Sequence, residues 1–235
     1  MKISDLRLPD HIQLQTFASR DALNAELAES IEQQLNQAIA HKGQATLALS
    51  GGSTPVPLFN RLSHTPLTWE QVTITLVDDR WINPSEPDSN EHLLRTQLLQ
   101  DHARQARFIP LWQAGMTAEE AVQSCQARLQ TINGPFDIVI LGMGNDGHTA
   151  SLFPDAAELT AALHSRADCV AINPTQAPYP RMSLTPARLL NSRQRILHIV
   201  GEDKLATLAK ALTRPPEEMP IHLFLQHPLT IYWAP

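Results

Sequence analysis

The stretch Phe136-Asp-Ile-Val-Ile-Leu-Gly-Met-Gly-Asn-Asp-Gly-His-Thr-Ala-Ser-Leu-Phe-Pro154 constrains the fold more than any other part of the chain. Residues 136–141 are almost all apolar and β-prone, the pattern of a strand buried on both faces of a helix-covered sheet. Glycines at 142, 144 and 147 follow, with Asp146 and His148 set among them. Glycine tolerates positive φ and close backbone approach, so such a turn can present its amides to a ligand. The turn stands at the C-terminal end of a strand, where open α/β sheets bind ligands.

The spacing Gly142-x-Gly144-x-x-Gly147 also matches the dinucleotide fingerprint. That motif needs an uninterrupted helix after the glycines and an acid about 20 residues on, at the tip of the next strand. Pro154 cuts the segment after one or two turns, and the next strand-like run, Cys169–Ile172, ends in Asn173-Pro174 with no acid. A charged Asp-x-His inside the turn also sits badly beside a pyrophosphate. The nicotinamide reading is set aside.

Along the rest of the chain, strand patterns at 12–17, 46–49, 72–77, 108–111, 169–172, 195–200 and 229–233 alternate with helical ones. The spacing predicts helices over 20–41, 55–62, 90–100, 155–165 and 201–212, one opening at Thr117 and short ones at 186 and 220–226. Ser19, the capping box Thr117-x-x-Glu120 and Thr185-Pro186 mark helix starts, and Gly43 marks a stop. The buried face of the helix after Thr117 is expected to hold Val122, Cys125, Leu129 and Ile132. Such alternation implies a mostly parallel sheet covered on both faces, in one domain over residues 1–235.

The 43% hydrophobic content supplies a sizeable core, and the net charge of −6 argues against nucleic acid or anionic membrane as the main partner. The first 25 residues carry Asp5, Arg7, Asp10 and Arg20 and no apolar run, so no signal peptide is expected. No run reaches the ~18 apolar residues of a membrane span. Cys125 and Cys169 read as reduced core thiols, which suits a cytoplasmic protein. The ten histidines lack ligand spacing, so no metal is expected.

An acidic chain that binds an anion must do so with a few local cations and amides. Ser50, Gly51, Gly52, Ser53 and Thr54 join a strand to a helix that Thr54 would cap with Pro55 in its first position. The loop reads either as a phosphate cradle at a helix N-terminus or as a tight capped turn. It lacks the Gly-Lys-Ser/Thr of a nucleotide loop. Arg80, Arg181 and Lys204 stand at strand ends or in adjoining loops, and the three together favour an anion site. His148 is either a core histidine satisfied by backbone or a general base. Asp146 either orients it or caps the short helix expected to follow. Asp78 and Asp79 are either catalytic or hold Arg80, the second being favoured, and His198 is read as structural.

Taken together, Ser50-Gly-Gly-Ser-Thr-Pro55, Asp78-Asp-Arg80, Ser89-Asn90, the block from Gly142 through Gly144 to Pro154, Arg181-Met-Ser-Leu-Thr185 and Gly201-Glu-Asp-Lys204 resemble the 6-phosphogluconolactonase family, in that family's order, over roughly residues 45–205. The resemblance implies a three-layer Rossmann-like αβα fold of the kind shared with glucosamine-6-phosphate deaminases (NagB/RpiA-like). It implies hydrolysis of 6-phospho-D-glucono-1,5-lactone without cofactor or metal. The loop 50–54 with Arg181 and Lys204 would grip the phosphate, and His148 would act as base. Arg80 and the glycine-turn amides would stabilise the oxyanion. The family usually has Asp-Glu-Arg where this chain has Asp78-Asp79-Arg80. The implied partner is a small sugar phosphate, acting on a monomer or weak homo-oligomer. Deaminase relatives carry a Glu five residues after the equivalent histidine, where this chain has Phe153. A non-catalytic sugar-phosphate sensor would need the cradle but not His148.

Overall fold

The computed structural model describes residues 6–235; residues 1–5, including Asp5 of the charged amino-terminal stretch, lie outside it. Ten strands succeed one another: β1 (Ile12–Thr16), β2 (Ala45–Leu49), β3 (Val72–Leu76), β4 (Asp78–Arg80), β5 (Arg107–Ile109), β6 (Phe136–Leu141), β7 (Cys169–Ile172), β8 (Arg181–Leu184), β9 (Ser192–Val200) and β10 (Leu229–Ala234). Between them run the helices α1 (Arg20–Lys42), α2 (Val56–Ser63), α3 (Asn90–Gln97), α4 (Ala118–Leu129), α5 (Leu159–His164), α6 (Pro186–Leu190), α7 (Glu202–Ala211) and α8 (Ile221–Leu225).

Seven strands form one wholly parallel sheet in the order β1-β10-β9-β6-β2-β3-β5. Every residue of β2 and β6 is buried, so both faces of the sheet's centre are covered. At the far end of β6 the buried Asp137 accepts from the Thr46 N–H at 2.8 Å and pairs with Lys42 at 2.8 Å, which fixes β6 against β2 and α1. Ser19 caps α1 and Gly43 closes it at φ 75°. The Thr117 capping box is formed in full, and Thr185 caps α6.

Four expectations change. Asp78–Arg80 does not extend β3: it forms β4, the edge of a second, antiparallel sheet with β8 and β7. The segment after the glycine turn is not helical: it folds as tight turns joined by a Thr149–Leu152 bridge, and α5 starts only at Leu159. Thr54 does not cap α2. Its N3 amide would have come from Pro57, which has none, and the helix is capped at Pro55 without any side-chain bond. On α4, Ala118 and Ala121 join Cys125 and Leu129 in the buried face, while Val122 is only half-buried and Ile132 lies beyond the helix.

Candidate active site

A cavity of about 460 Å³ opens at the C-terminal ends of β2, β6 and β9. The sequence candidates meet there from remote parts of the chain. Ser50, Gly51, Gly52 and Thr54 come from the loop after β2, Asp78 and Arg80 from β4, and Asn90 from α3. Gly144 and His148 come from the glycine turn, Arg181 from β8 and Lys204 from α7. Ser53, Asp79 and Asp146 stand outside the lining. β2 passes to β3 on one side of the sheet and β6 to β9 on the other, so the cavity sits where the strand order reverses.

The glycine turn closes on itself. Gly144 N–H donates to the His148 carbonyl (2.9 Å), Gly147 N–H to the Gly144 carbonyl (3.0 Å) and Gly142 N–H to Ser50 Oγ (3.1 Å). These three amides are therefore engaged within the protein, contrary to the expectation that they receive an oxyanion. Gly147 has φ 82°, and Ala150 is held at φ 49°, a conformation costly for a non-glycine residue and concentrated at functional sites.

With no helix to cap, Asp146 orients the imidazole: its Oδ1 accepts from His148 N–H at 3.1 Å and lies 2.6 Å from Nδ1. Burial pushes the Asp146 carboxyl up, but the hydrogen bonds and charge of His148 outweigh it, and its pKa falls below the ordinary value. An ionised carboxylate only accepts, so Nδ1 carries the proton and Nε2 of the neutral ring is left as an acceptor. The ring packs on Phe153 at 4.3 Å between centroids, and the Arg181 guanidinium lies 5.4 Å from the same Phe153 ring.

Arg181 is 5% exposed, and its Nε and Nη2 donate to the carbonyls of Tyr179 (3.3 Å) and Pro178 (2.9 Å). Burial lowers its pKa from the ordinary arginine value, with Asp78 pulling the other way. Arg80 Nη1 donates to the Asp88 carbonyl at 2.5 Å, and Lys204 Nζ donates to Asn145 Oδ1 on the glycine turn. Among the described residues none of these three cations forms an ion pair. The three cations are held by carbonyls and a side-chain amide rather than by ion pairs, and they gather positive charge at the cavity beside the lining acids Asp78 and Asp88.

The two acids do not hold the Arg80 side chain. Asp78 Oδ2 accepts from Ser151 Oγ at 2.5 Å, tying β4 to the segment after the glycine turn. Asp79 is wholly buried and accepts from the N–H groups of Arg80 (2.8 Å), Asn90 (2.6 Å) and Glu91 (3.0 Å) and from Ser89 Oγ (3.3 Å). It thus satisfies the first turn of α3. The Ser50 hydroxyl is likewise committed, donating to the Ile140 carbonyl at 3.0 Å while receiving Gly142 N–H. Asn90 Nδ2 donates to the Asp78 carbonyl at 2.9 Å, and a Cβ on Gly51 would lie 2.0 Å from Asn90 Oδ1, so only glycine fits there. The lining residues Asp88, Tyr179 and His198 escaped the sequence reading as site residues. Tyr179 lies at the rim with φ 72° and bonds Asp88 through its hydroxyl at 3.0 Å, and His198 forms part of the wall. The strand pattern around His198 gave no sign of the cavity, whereas Tyr179 lies in the Pro-rich loop that leads to Arg181.

A parallel Rossmann-like sheet with a cavity lined by cations and a carboxylate-bound imidazole at its strand ends defines a class of α/β enzymes acting on phosphorylated metabolites. Residues 18–233 match the family model of glucosamine-6-phosphate isomerases/6-phosphogluconolactonase, and the chain belongs to that family. It is 40% identical to a 6-phosphogluconolactonase of Pseudomonas aeruginosa, with 100% of both chains covered. It is 42% identical to one of Rhizobium meliloti, over 93% of this chain and 97% of that one. The crystal structure of a 6-phosphogluconolactonase from Shewanella baltica superposes with a TM-score of 0.94 at 42% identity, covering 97% of this chain and 100% of that one.

Proposed function

We propose that this chain hydrolyses 6-phospho-D-glucono-1,5-lactone to 6-phospho-D-gluconate in the oxidative pentose phosphate pathway, in the cytoplasm and without a metal. The observation that carries the mechanism is the 2.6 Å contact of His148 Nδ1 with Asp146, which leaves Nε2 unprotonated beside a cavity lined by Arg80, Arg181 and Lys204. Nε2 takes a proton from water as its oxygen attacks C1 of the lactone. The carbonyl electron pair moves onto oxygen, and Arg80, whose guanidinium among the described residues is bound only through Nη1 to the Asp88 carbonyl, receives the oxyanion. Collapse of the tetrahedral centre breaks the bond from C1 to the ring oxygen, which takes the proton back from His148. The phosphate lies between the loop 50–54, Arg181 and Lys204.

The same geometry disfavours aminosugar deamination, because Phe153 places an apolar ring against His148 where those relatives carry a glutamate. The test is a coupled assay on freshly made 6-phosphogluconolactone beside glucosamine 6-phosphate, for the wild type and His148→Asn. The lactone should be hydrolysed well above its spontaneous rate, the aminosugar should not be consumed, and the variant should lose about 10²–10⁴-fold in kcat. A folded His148→Asn enzyme with near-normal kcat would overturn the assignment of the base. One that binds 6-phosphogluconate while the wild type shows no turnover would indicate a sensor.

A further inference from the structure

Arg20 opens α1, in the positively polarised first turn where a cation opposes the helix dipole. Its half-buried side chain crosses to the cavity loop: Nη2 donates to the carbonyls of Ser53 at 2.6 Å and Thr54 at 3.1 Å. That loop has little else to hold it. Pro55 and Pro57 take two amides out of the start of α2, and no side chain caps the helix. The Ser53–Thr54 peptide is trans, so a carbonyl turned to Arg20 turns the Thr54 N–H the opposite way. Thr54 lines the cavity, whereas Ser53 and Arg20 do not.

A second observation bears on the same guanidinium. His198, in the cavity wall, is 3% exposed, and neither of its ring nitrogens has a partner among the described residues. Burial, and then the charge of Arg20, push this imidazole down to about 4, so at neutral pH it stands uncharged near the arginine. No carboxylate pairs with Arg20 among the described residues. The guanidinium is therefore neither quenched by an acid nor repelled by a second cation, and its hydrogen bonds go to the loop.

We propose that Arg20 is a positioning residue for substrate phosphate: by holding the Ser53 and Thr54 carbonyls it fixes the loop with the Thr54 amide turned away from α1, and so sets affinity for the phosphorylated end without touching it. This rests on reading the loop as the phosphate site. The two ideas fail separately in one experiment. Arg20→Ala, Arg20→Lys and Lys204→Ala are each assayed on 6-phosphogluconolactone and on unphosphorylated glucono-1,5-lactone, with Tm measured alongside. Arg20→Ala should raise KM for the phosphorylated lactone roughly tenfold, a loss of about 1.4 kcal/mol, with kcat much less affected. The preference for the phosphorylated substrate should fall by the same factor, and Arg20→Lys should recover part of it. An unchanged preference in Arg20→Ala, while Lys204→Ala loses it, would overturn the role of Arg20. So would equal losses on both substrates accompanied by a lower Tm. An unchanged preference in Lys204→Ala would remove the phosphate reading and the inference with it. Should Arg20→Ala not fold, Arg20→Gln, a neutral donor that reaches less far, is read by the same criteria.

Discussion

A Cβ on Gly144 would lie 2.2 Å from both Nδ1 and Cε1 of His148 and 2.6 Å from Oδ1 of Asp146. The imidazole and its carboxylate occupy the space that any side chain at 144 would need, so glycine here is required by the histidine rather than by the turn's own dihedrals. The turn has one positive-φ glycine, and it is Gly147.

Gly144→Ala should therefore damage catalysis more than stability. The ring must move or the turn must open, and a misplacement of about 1 Å can cost about 10²-fold in rate. Steady-state kinetics with circular dichroism on the same sample check this. A folded Gly144→Ala protein with wild-type kcat would show that the ring position is not the productive one.

Asp146→Asn tests the tautomer. The amide can turn its NH₂ toward Nδ1, which favours the proton on Nε2 and removes the acceptor that faces the cavity. The loss in kcat should approach that of His148→Asn, at most about 10²–10⁴-fold. In the wild type, activity should fall on the acid side as the imidazole takes up a proton. The depressed pKa of Asp146 keeps its carboxylate ionised through that range, so the acid limb belongs to the ring. The limb should vanish in His148→Asn. A pH–rate profile of each variant measured against the enzyme-free rate decides, and an unchanged limb in His148→Asn would assign it elsewhere.

The two cations proposed to hold the phosphate should differ in kind. Lys204 has its ammonium bound to a single side-chain amide, whereas Arg181 also holds the Pro178 and Tyr179 carbonyls and lies over Phe153. A charge-assisted bond contributes about 1.5–3 kcal/mol, so each alanine variant should lose ten- to a hundredfold in kcat/KM on the phosphorylated lactone. Arg181→Ala should in addition lower Tm, because it empties a buried position and frees two carbonyls. Equal Tm values for the two variants would contradict the difference in burial.

Much of this architecture is legible in the sequence because local rules carry it. The apolar run 136–141, the Thr117 capping box and the Gly43 stop each act within a few residues. What escaped depends on partners far away. Asp78–Arg80 becomes a strand only because Arg181–Leu184 lies beside it, a pairing with no hydropathy signal in three charged residues. The glycine amides could be assigned to a ligand until the turn's own bonds showed them occupied. Thr54 looked like a cap by residue type, yet Pro57 three residues on removes the donor. His198 could be placed on a strand, but not at a cavity wall near Arg20. Local chemistry thus gave the candidates, and long-range pairing decided which of their groups are free.

Asp79 gives the last prediction, and its sign needs care. Burial pushes this carboxyl up from 3.8 to about 7 in the fold, against the N–H groups of Asn90, Glu91 and Arg80, with Asp78 adding to the rise. Between those values the folded chain holds a proton that the unfolded chain has lost, so this group's contribution to stability decreases as pH rises. His198 works in the opposite direction over part of that window: its pKa is lowered from 6.5 to about 4, so its contribution increases with pH. The wild-type curve mixes the two, and a difference between proteins isolates one. Asp79→Asn cannot ionise, but its NH₂, which accepts nothing, must meet N–H donors that the carboxyl oxygens now accept, at a cost of about 1–3 kcal/mol. Near pH 4 the variant should thus be the less stable, by roughly 2–4 °C in Tm per kcal/mol for a chain of this size. As pH rises toward 7 the wild type loses the contribution of its raised carboxyl and the variant does not, so the gap should narrow. Thermal unfolding of both proteins at intervals between pH 4 and 8 measures it. A gap that widens with pH would mean that the α3 amides hold Asp79 as a carboxylate, and that its fourfold hydrogen bonding outweighs burial.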